Sequence, residues 1–264
     1  MLKPLRERKP MRKIVAIAEN TVREELRKKG LNVLLLFAVV LIIGSRSFGW
    51  LAPGEEMKIV KDTGLAGIMF FGMLIAIFGT SGLIPGEIEK KTIYTLLAKP
   101  VRRFEFVLGK FLGGTVTVLI YFTIMSAVFL GMIFIKERIV DPDIVKALIL
   151  TFFELEVLVA ITTAVSTLAS TLFNVTFTFF IWVVGHLTDN LVHMAEMARN
   201  RVSKAVLLGL YNLLPNFNNF NVRDHVVVGD PVPLQYLAAG INYGLGVCAV
   251  MLILAFLFFN EREV

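Results

Sequence analysis

Cysteine occurs once in the 264 residues, at Cys248. One thiol excludes an intrachain disulfide and any cysteine-cluster metal site. Charge is also scarce. Asp, Glu, Lys and Arg make up 18% of the chain, against about 25% in an ordinary soluble domain. The charges are clumped. Between the clumps run apolar stretches of about 20 residues, long enough to cross a hydrocarbon core of roughly 30 Å. A nucleotide-binding loop is missing too. It needs Gly, four residues, then Gly-Lys-Ser/Thr, so that backbone N–H groups can cradle phosphate. The nearest candidate, Gly109-Lys110, continues into Phe111-Leu112. There is no internal repeat and no low-complexity segment. A cleavable leader is not expected, because the first apolar run starts only at Leu31 and leads into Gly44-Ser45-Arg46. It reads as a retained span.

What is present is apolar and basic. Hydrophobic residues make up 56% of the chain and the net charge is +6. The mean hydropathy is +0.73. Lys and Arg flank the apolar runs, so anionic lipid and the positive-inside rule explain the charge, and nucleic acid is not expected as a partner. The expected fold is all-α and integral to the membrane. It has six transmembrane helices, an interfacial amphipathic N-terminal helix and a cytoplasmic coupling helix. The first element covers residues 1–30, where Met11, Ile14, Val15, Ala18, Val22 and Leu26 form one apolar stripe. The membrane domain covers 31–264. Its spans are expected at about 31–51, 64–84, 111–135, 144–173, 175–193 and 234–259, with a tight turn near Asn174. A cytoplasmic loop covers 85–110. An outer segment, 194–233, opens with a second amphipathic helix near 195–214.

Seventeen of the 27 Lys and Arg residues fall on the side of the N-terminus. Both termini are therefore expected in the cytoplasm, in a multi-pass protein of a prokaryotic cell membrane. Small residues four apart, Gly109 with Gly113 and Gly240 with Gly244, let helices approach closely. They serve bundle packing or a dimer seam.

The loop from Pro85 to Lys110 has two amphipathic halves split by Pro100. Ile93, Leu96 and Leu97 make one apolar patch, and Phe104, Val107, Leu108 and Phe111 the other. Such a segment can dock into a partner's groove or lie on lipid. It carries Glu87 and Glu89, then Thr92, Leu96-Leu97, Pro100, Arg103 and Gly109-Lys110. In this it resembles permeases of the type-2 ABC exporter superfamily. Those usually have Gly before the Thr, where this chain has Lys91. The overall layout is similar as well. The resemblance implies that the loop contacts a separate ATPase subunit, which binds the ATP, through Glu87, Glu89, Thr92, Leu96, Leu97, Pro100, Arg103 and Lys110. It also implies a second permease subunit, identical or different. Pro215-Asn216-Phe217 followed by Phe220-Asn221 looks like the outer segment of permeases linked to multicopper-enzyme and nitrous oxide reductase maturation.

Five polar residues fall in the outer half of the expected spans: Arg46, Glu154, Glu156, His186 and Asp189. Ionisable groups at that depth are costly, and are paired or face water. They point to a polar outer cavity or to ion pairs, such as an Arg–Glu pair locking the bundle. His186, Asp189 and His193 could share a helix face and hold a metal, or simply end the helix. Gly79-Thr80-Ser81-Gly82 matches an intramembrane serine protease pattern with His186 as base. The helical rise, however, puts the two at different depths. The function expected is a non-enzymatic ABC permease subunit, with no cofactor of its own. The alternatives are a membrane anchor of an ATP-driven assembly complex with an outer client protein, and the protease.

Overall fold

The computed structural model describes residues 10–48, 54–89, 102–198 and 200–261. Among these, every regular element is helical. In chain order they are α1 (Pro10–Leu26), α2 (Lys29–Phe48), α3 (Glu56–Thr80), α4 (Pro85–Glu89), α5 (Arg103–Glu137), α6 (Pro142–Ser166), α7 (Thr171–His186), α8 (Thr188–Met197), α9 (Arg201–Leu213), a 3-10 turn (Phe217–Phe220), α10 (Arg223–Val228) and α11 (Leu234–Glu261). Four are long and apolar enough to cross a membrane: α2, α3 with its continuation into α4, α5 and α11. The pair α7–α8 makes a fifth if counted as one span, bent by 60°.

Helix α6 is the centre of the bundle. It packs against α3, α5, α7 and α11, and every residue from Glu154 to Ala164 is buried. Leu155, Val157, Leu158 and Val159 meet Met73 and Ile75 of α3 and Met125 and Phe129 of α5 in one apolar core. The outward sides of α2, α5, α7 and α11 expose apolar side chains, among them Phe37, Leu119, Phe180 and Ile253. This inversion suits lipid, which takes up apolar surface that water would reject.

Both glycine pairs are used inside the chain. A Cβ on Gly109 would stand 2.8 Å from Ile17, and one on Gly113 would stand 3.0 Å from the carbonyl oxygen of Ala18. The pair therefore seats α1 flush along the start of α5. A Cβ on Gly240 would meet Leu150, and one on Gly244 would meet Phe220 and Phe153. That pair lets α11 close over α6 and the 3-10 turn.

Several helix ends differ from the sequence expectation. Helix α5 begins at Arg103, eight residues before the expected span. Its first turn is fixed by the Glu105 carboxylate, which accepts the Arg102 N–H at 2.9 Å. The second half of the loop is thus the opening of α5 itself. The turn expected near Asn174 falls at residues 167–170. Asn174 lies inside α7 and is fully buried. Its Nδ2 donates to the carbonyl oxygens of Ser81 at 3.1 Å and Thr162 at 3.0 Å, and its Oδ1 accepts from Thr178. An Asn reads as a turn former from sequence, but here tertiary partners satisfy the amide. The span expected over 175–193 breaks at Leu187.

Candidate functional site

Polar side chains gather at the two ends of the bundle. At the loop end, Lys110 and Glu87 form an ion pair of 2.6 Å between α5 and α4. Lys110 is almost fully buried, with Nζ 5.8 Å from the Phe106 ring centroid. Arg103 donates from Nη1 to the carbonyl oxygens of Phe259 and Asn260, each at 2.8 Å. Its guanidinium lies over the Phe259 ring. It thereby caps the C-terminus of α11, where carbonyls lack helical partners and the dipole favours a cation. Glu105 also meets Lys13 of α1 at 3.7 Å. Glu89, the last residue of α4, is exposed. Thr92, Leu96, Leu97 and Pro100 lie outside the described residues. Of the residues expected to reach a partner, Glu87, Arg103 and Lys110 thus have roles within the chain, and Glu89 faces outward.

One further residue joins this end of the bundle that was not among those expected from the sequence. Glu25 of α1 is 1% exposed, and its Oε1 is 2.6 Å from Lys28 Nζ. Its other carboxylate oxygen is buried without a hydrogen bond, beside Gly79 of α3. Burial pushes the Glu25 carboxyl up to about 6, although Lys28 and Lys110 pull it down and Glu24 adds to the rise. The signal was present in the sequence: Glu25 falls seven residues after Ala18 and three after Val22, on the apolar stripe itself.

A pH dependence follows. The docked state holds Glu25 above its ordinary value of 4.5, so docking favours the protonated form. That contribution is complete below pH 4.5 and is lost as pH rises through about 6. The loss amounts to about 2 kcal/mol. Unfolding of the purified protein and of Glu25→Gln, followed between pH 4.5 and 7.5, should show the variant gaining on the parent by about that amount as pH rises. Parallel pH profiles would contradict it.

Toward the opposite end, Glu154, at the middle of α6, is buried where α6 meets α7. Its Oε1 accepts from Trp182 Nε1 at 2.9 Å and is 3.5 Å from His186 Nε2. The His186 Nδ1 faces the carbonyl oxygen of Trp182 at 3.1 Å, and its ring stacks on Phe217 with centroids 5.6 Å apart. Asp189 accepts from the side-chain amides of Asn216 at 3.1 Å and Asn218 at 2.9 Å. The Asn218 amide also reaches the carbonyl oxygen of His186, and Tyr243 of α11 accepts the Asn216 N–H. The segment 215–221 is therefore clamped between α7, α8 and α11. Beside Glu154, lined also by Thr151, Asn221 and Arg223, is a cavity of about 10 Å³, room for one water.

Glu156 belongs to a different contact. Its Oε2 accepts from Thr115 of α5 at 2.7 Å, and its other oxygen is buried without a partner. Two residues apart on a helix, the glutamates face different neighbours. Arg46 joins neither. It lies in a groove of about 600 Å³ with Met57 and Lys136, so the partners of Glu154 are Trp182 and His186. The bend at Leu187 also parts His186, at the end of α7, from Asp189 and His193 on α8, so the three do not share one helix face. Ser81 is held by Asn174 in the first turn of α7. His186 ends that helix twelve residues on, about 18 Å away along its axis, so the two cannot act as nucleophile and base.

A family model described as ABC-2 family transporter protein matches residues 15–264. No curated protein matches the chain. That match spans nearly all of the apolar helices, the polar joint at the loop end and the clamped segment at the other, and this helical, multi-pass membrane chain belongs to the ABC-2 transporter family.

Proposed function

We propose that this chain is the permease subunit of an ABC exporter in a cell membrane, with both termini in the cytoplasm. In this reading it crosses six times, α6 being the fourth span in chain order and an addition to the five counted above. It works as a dimer of permeases, and a separate ATPase subunit supplies the hydrolysis. The observation that carries the proposal is the anchoring of residues 90–101 at both ends. Before the segment, Glu87 of α4 is held by Lys110. After it, Arg103 grips the end of α11. A push on the segment is thus delivered to α4, α5 and α11 together. In this reading Leu96 and Leu97 are apolar contacts for the ATPase, and Thr92 and Pro100 contact it as well. Glu89, exposed next to the segment, supplies charge. Closure of the ATPases on ATP then rocks the anchored helices between inward- and outward-facing states.

The test is co-purification. The tagged permease, extracted gently from its native membrane, should bring a P-loop ATPase with it. Changing Leu96 and Leu97 to Glu should abolish that recovery while the permease still elutes as a single species. An intact permease that never carries an ATPase, across several mild detergents, would remove the reading.

A further inference from the structure

The imidazole of His186 is held in one setting. Its Nδ1 lies 3.1 Å from the carbonyl oxygen of Trp182. A carbonyl can only accept, so Nδ1 carries the hydrogen of that contact. The ring stacks on Phe217, and its centroid stands 4.7 Å from that of the Trp182 ring. The other nitrogen, Nε2, is buried and makes no hydrogen bond. It lies 3.5 Å from Oε1 of Glu154, which already accepts from Trp182 Nε1.

Proton counting then separates two states. With the hydrogen on Nδ1, a neutral imidazole turns the Nε2 lone pair towards a carboxylate oxygen. Two acceptors face each other across a gap longer than a good hydrogen bond. One added proton on Nε2 converts that opposition into a charge-assisted hydrogen bond to Oε1. It also takes the pair from a net charge of −1 to zero, which suits apolar surroundings. The neighbouring titratable groups are engaged elsewhere. Arg223 of α10 pairs with Asp62 of α3 at 3.0 Å. Asp189 of α8 is held by Asn216 and Asn218. Tyr243 of α11 takes the Asn216 N–H, and Glu156 is turned to Thr115 of α5.

A route for the proton lies beside the pair. The cavity next to Glu154 is lined by Thr151, Asn221 and Arg223. The side chains of Arg223 and Asp62 are 33% and 48% exposed. One water is therefore enough to link the carboxylate to an ion pair that meets solvent.

From this geometry we infer that Glu154 and His186 form a proton-binding site, filled from the end of the bundle opposite the α4–α5 loop. The proton comes from hydronium at the cavity, sits on Nε2 against Oε1, and returns to water when the pH on that side rises. No other bond changes. The inference does not depend on the transport reading.

Trp182 reports on the site directly. The chain has two tryptophans, and Trp50→Phe leaves Trp182 as the sole indole. An imidazolium beside an indole quenches its fluorescence, and a neutral imidazole does so far less. In phospholipid nanodiscs the full Trp50→Phe chain should lose emission in one sigmoidal step as pH falls from about 9 to about 5. In that background His186→Asn should abolish the step and His193→Asn should leave it. Glu154→Gln should move it by on the order of one pH unit. Emission that is flat with pH, a step that survives His186→Asn, or a step that Glu154→Gln leaves in place would each overturn the inference. The first of these is read with the site intact, so it does not hinge on whether a site variant folds. Proteoliposomes test the side of entry. Helix α1 packs along the start of α5, so a tag on the N-terminus that resists added protease marks molecules whose far end faces out. An acid jump outside should quench at once only that fraction. Immediate quenching of the opposite fraction would reject entry from the far end.

Discussion

Phe217→Ala should lower the stability of the purified protein by about 3–5 kcal/mol, the cost of emptying a buried aromatic site. A thermal unfolding scan in detergent would read this as a fall on the order of 10 °C. Phe217 is fully buried. Its ring stacks on His186 and lies against Gly185, so closely that a Cβ there would collide with it. The cavity would open between α7 and the 3-10 turn, and the amide clamp on Asp189 rests on the same backbone. Phe217→Leu should recover much of the loss by keeping volume. If Phe217→Ala unfolds as the parent does, Phe217 is not what holds segment 215–221 against α7.

The second large effect is expected at Lys110. Lys110→Met removes the buried cation and leaves Glu87 without it. Breaking such a pair costs about 3–5 kcal/mol in fully buried cases. Glu87 keeps partial access to solvent, with its side chain 14% exposed, so the lower end of that range applies. The diagnostic is the cycle. Glu87→Gln in the Lys110→Met background should return much of the loss, because the carboxylate that Lys110 faced is then gone as well. Additive losses from the two changes would show that the 2.6 Å pair is not what holds α4 to α5.

The bundle was legible in the sequence because its signals are long. Apolar runs and clumped charge locate α2, α3, α5 and α11 without tertiary information. Helix ends were less legible, for reasons that can be named. Asn174 reads as a turn former, yet α6 and the end of α3 satisfy its amide. Asp189 reads as an intramembrane acid beside His186, but the break at Leu187 turns it toward Asn216 and Asn218. At the loop end, the residues that match the family pattern were visible, but not the partners of three of them. That Arg103 reaches α11 across 156 positions is a tertiary fact with no local trace. Glu25 was visible as an acid on an apolar stripe, and the stripe's regularity hid it.

The enclosure of α6 also bears on how the chain enters the membrane. A charged side chain at the centre of a lone helix opposes insertion by about 2.5–3.5 kcal/mol, and α6 carries two carboxylates, two residues apart. Met73, Ile75, Met125 and Phe129 belong to helices synthesised earlier, and Thr115, the partner of Glu156, lies on one of them. These helices form a ready receptacle when α6 emerges. The partners of Glu154 arrive only with α7, and α11 closes the last side. In the six-span reading proposed above, insertion of α6 is a templated step, and the order of helices along the chain is part of what makes the fold reachable.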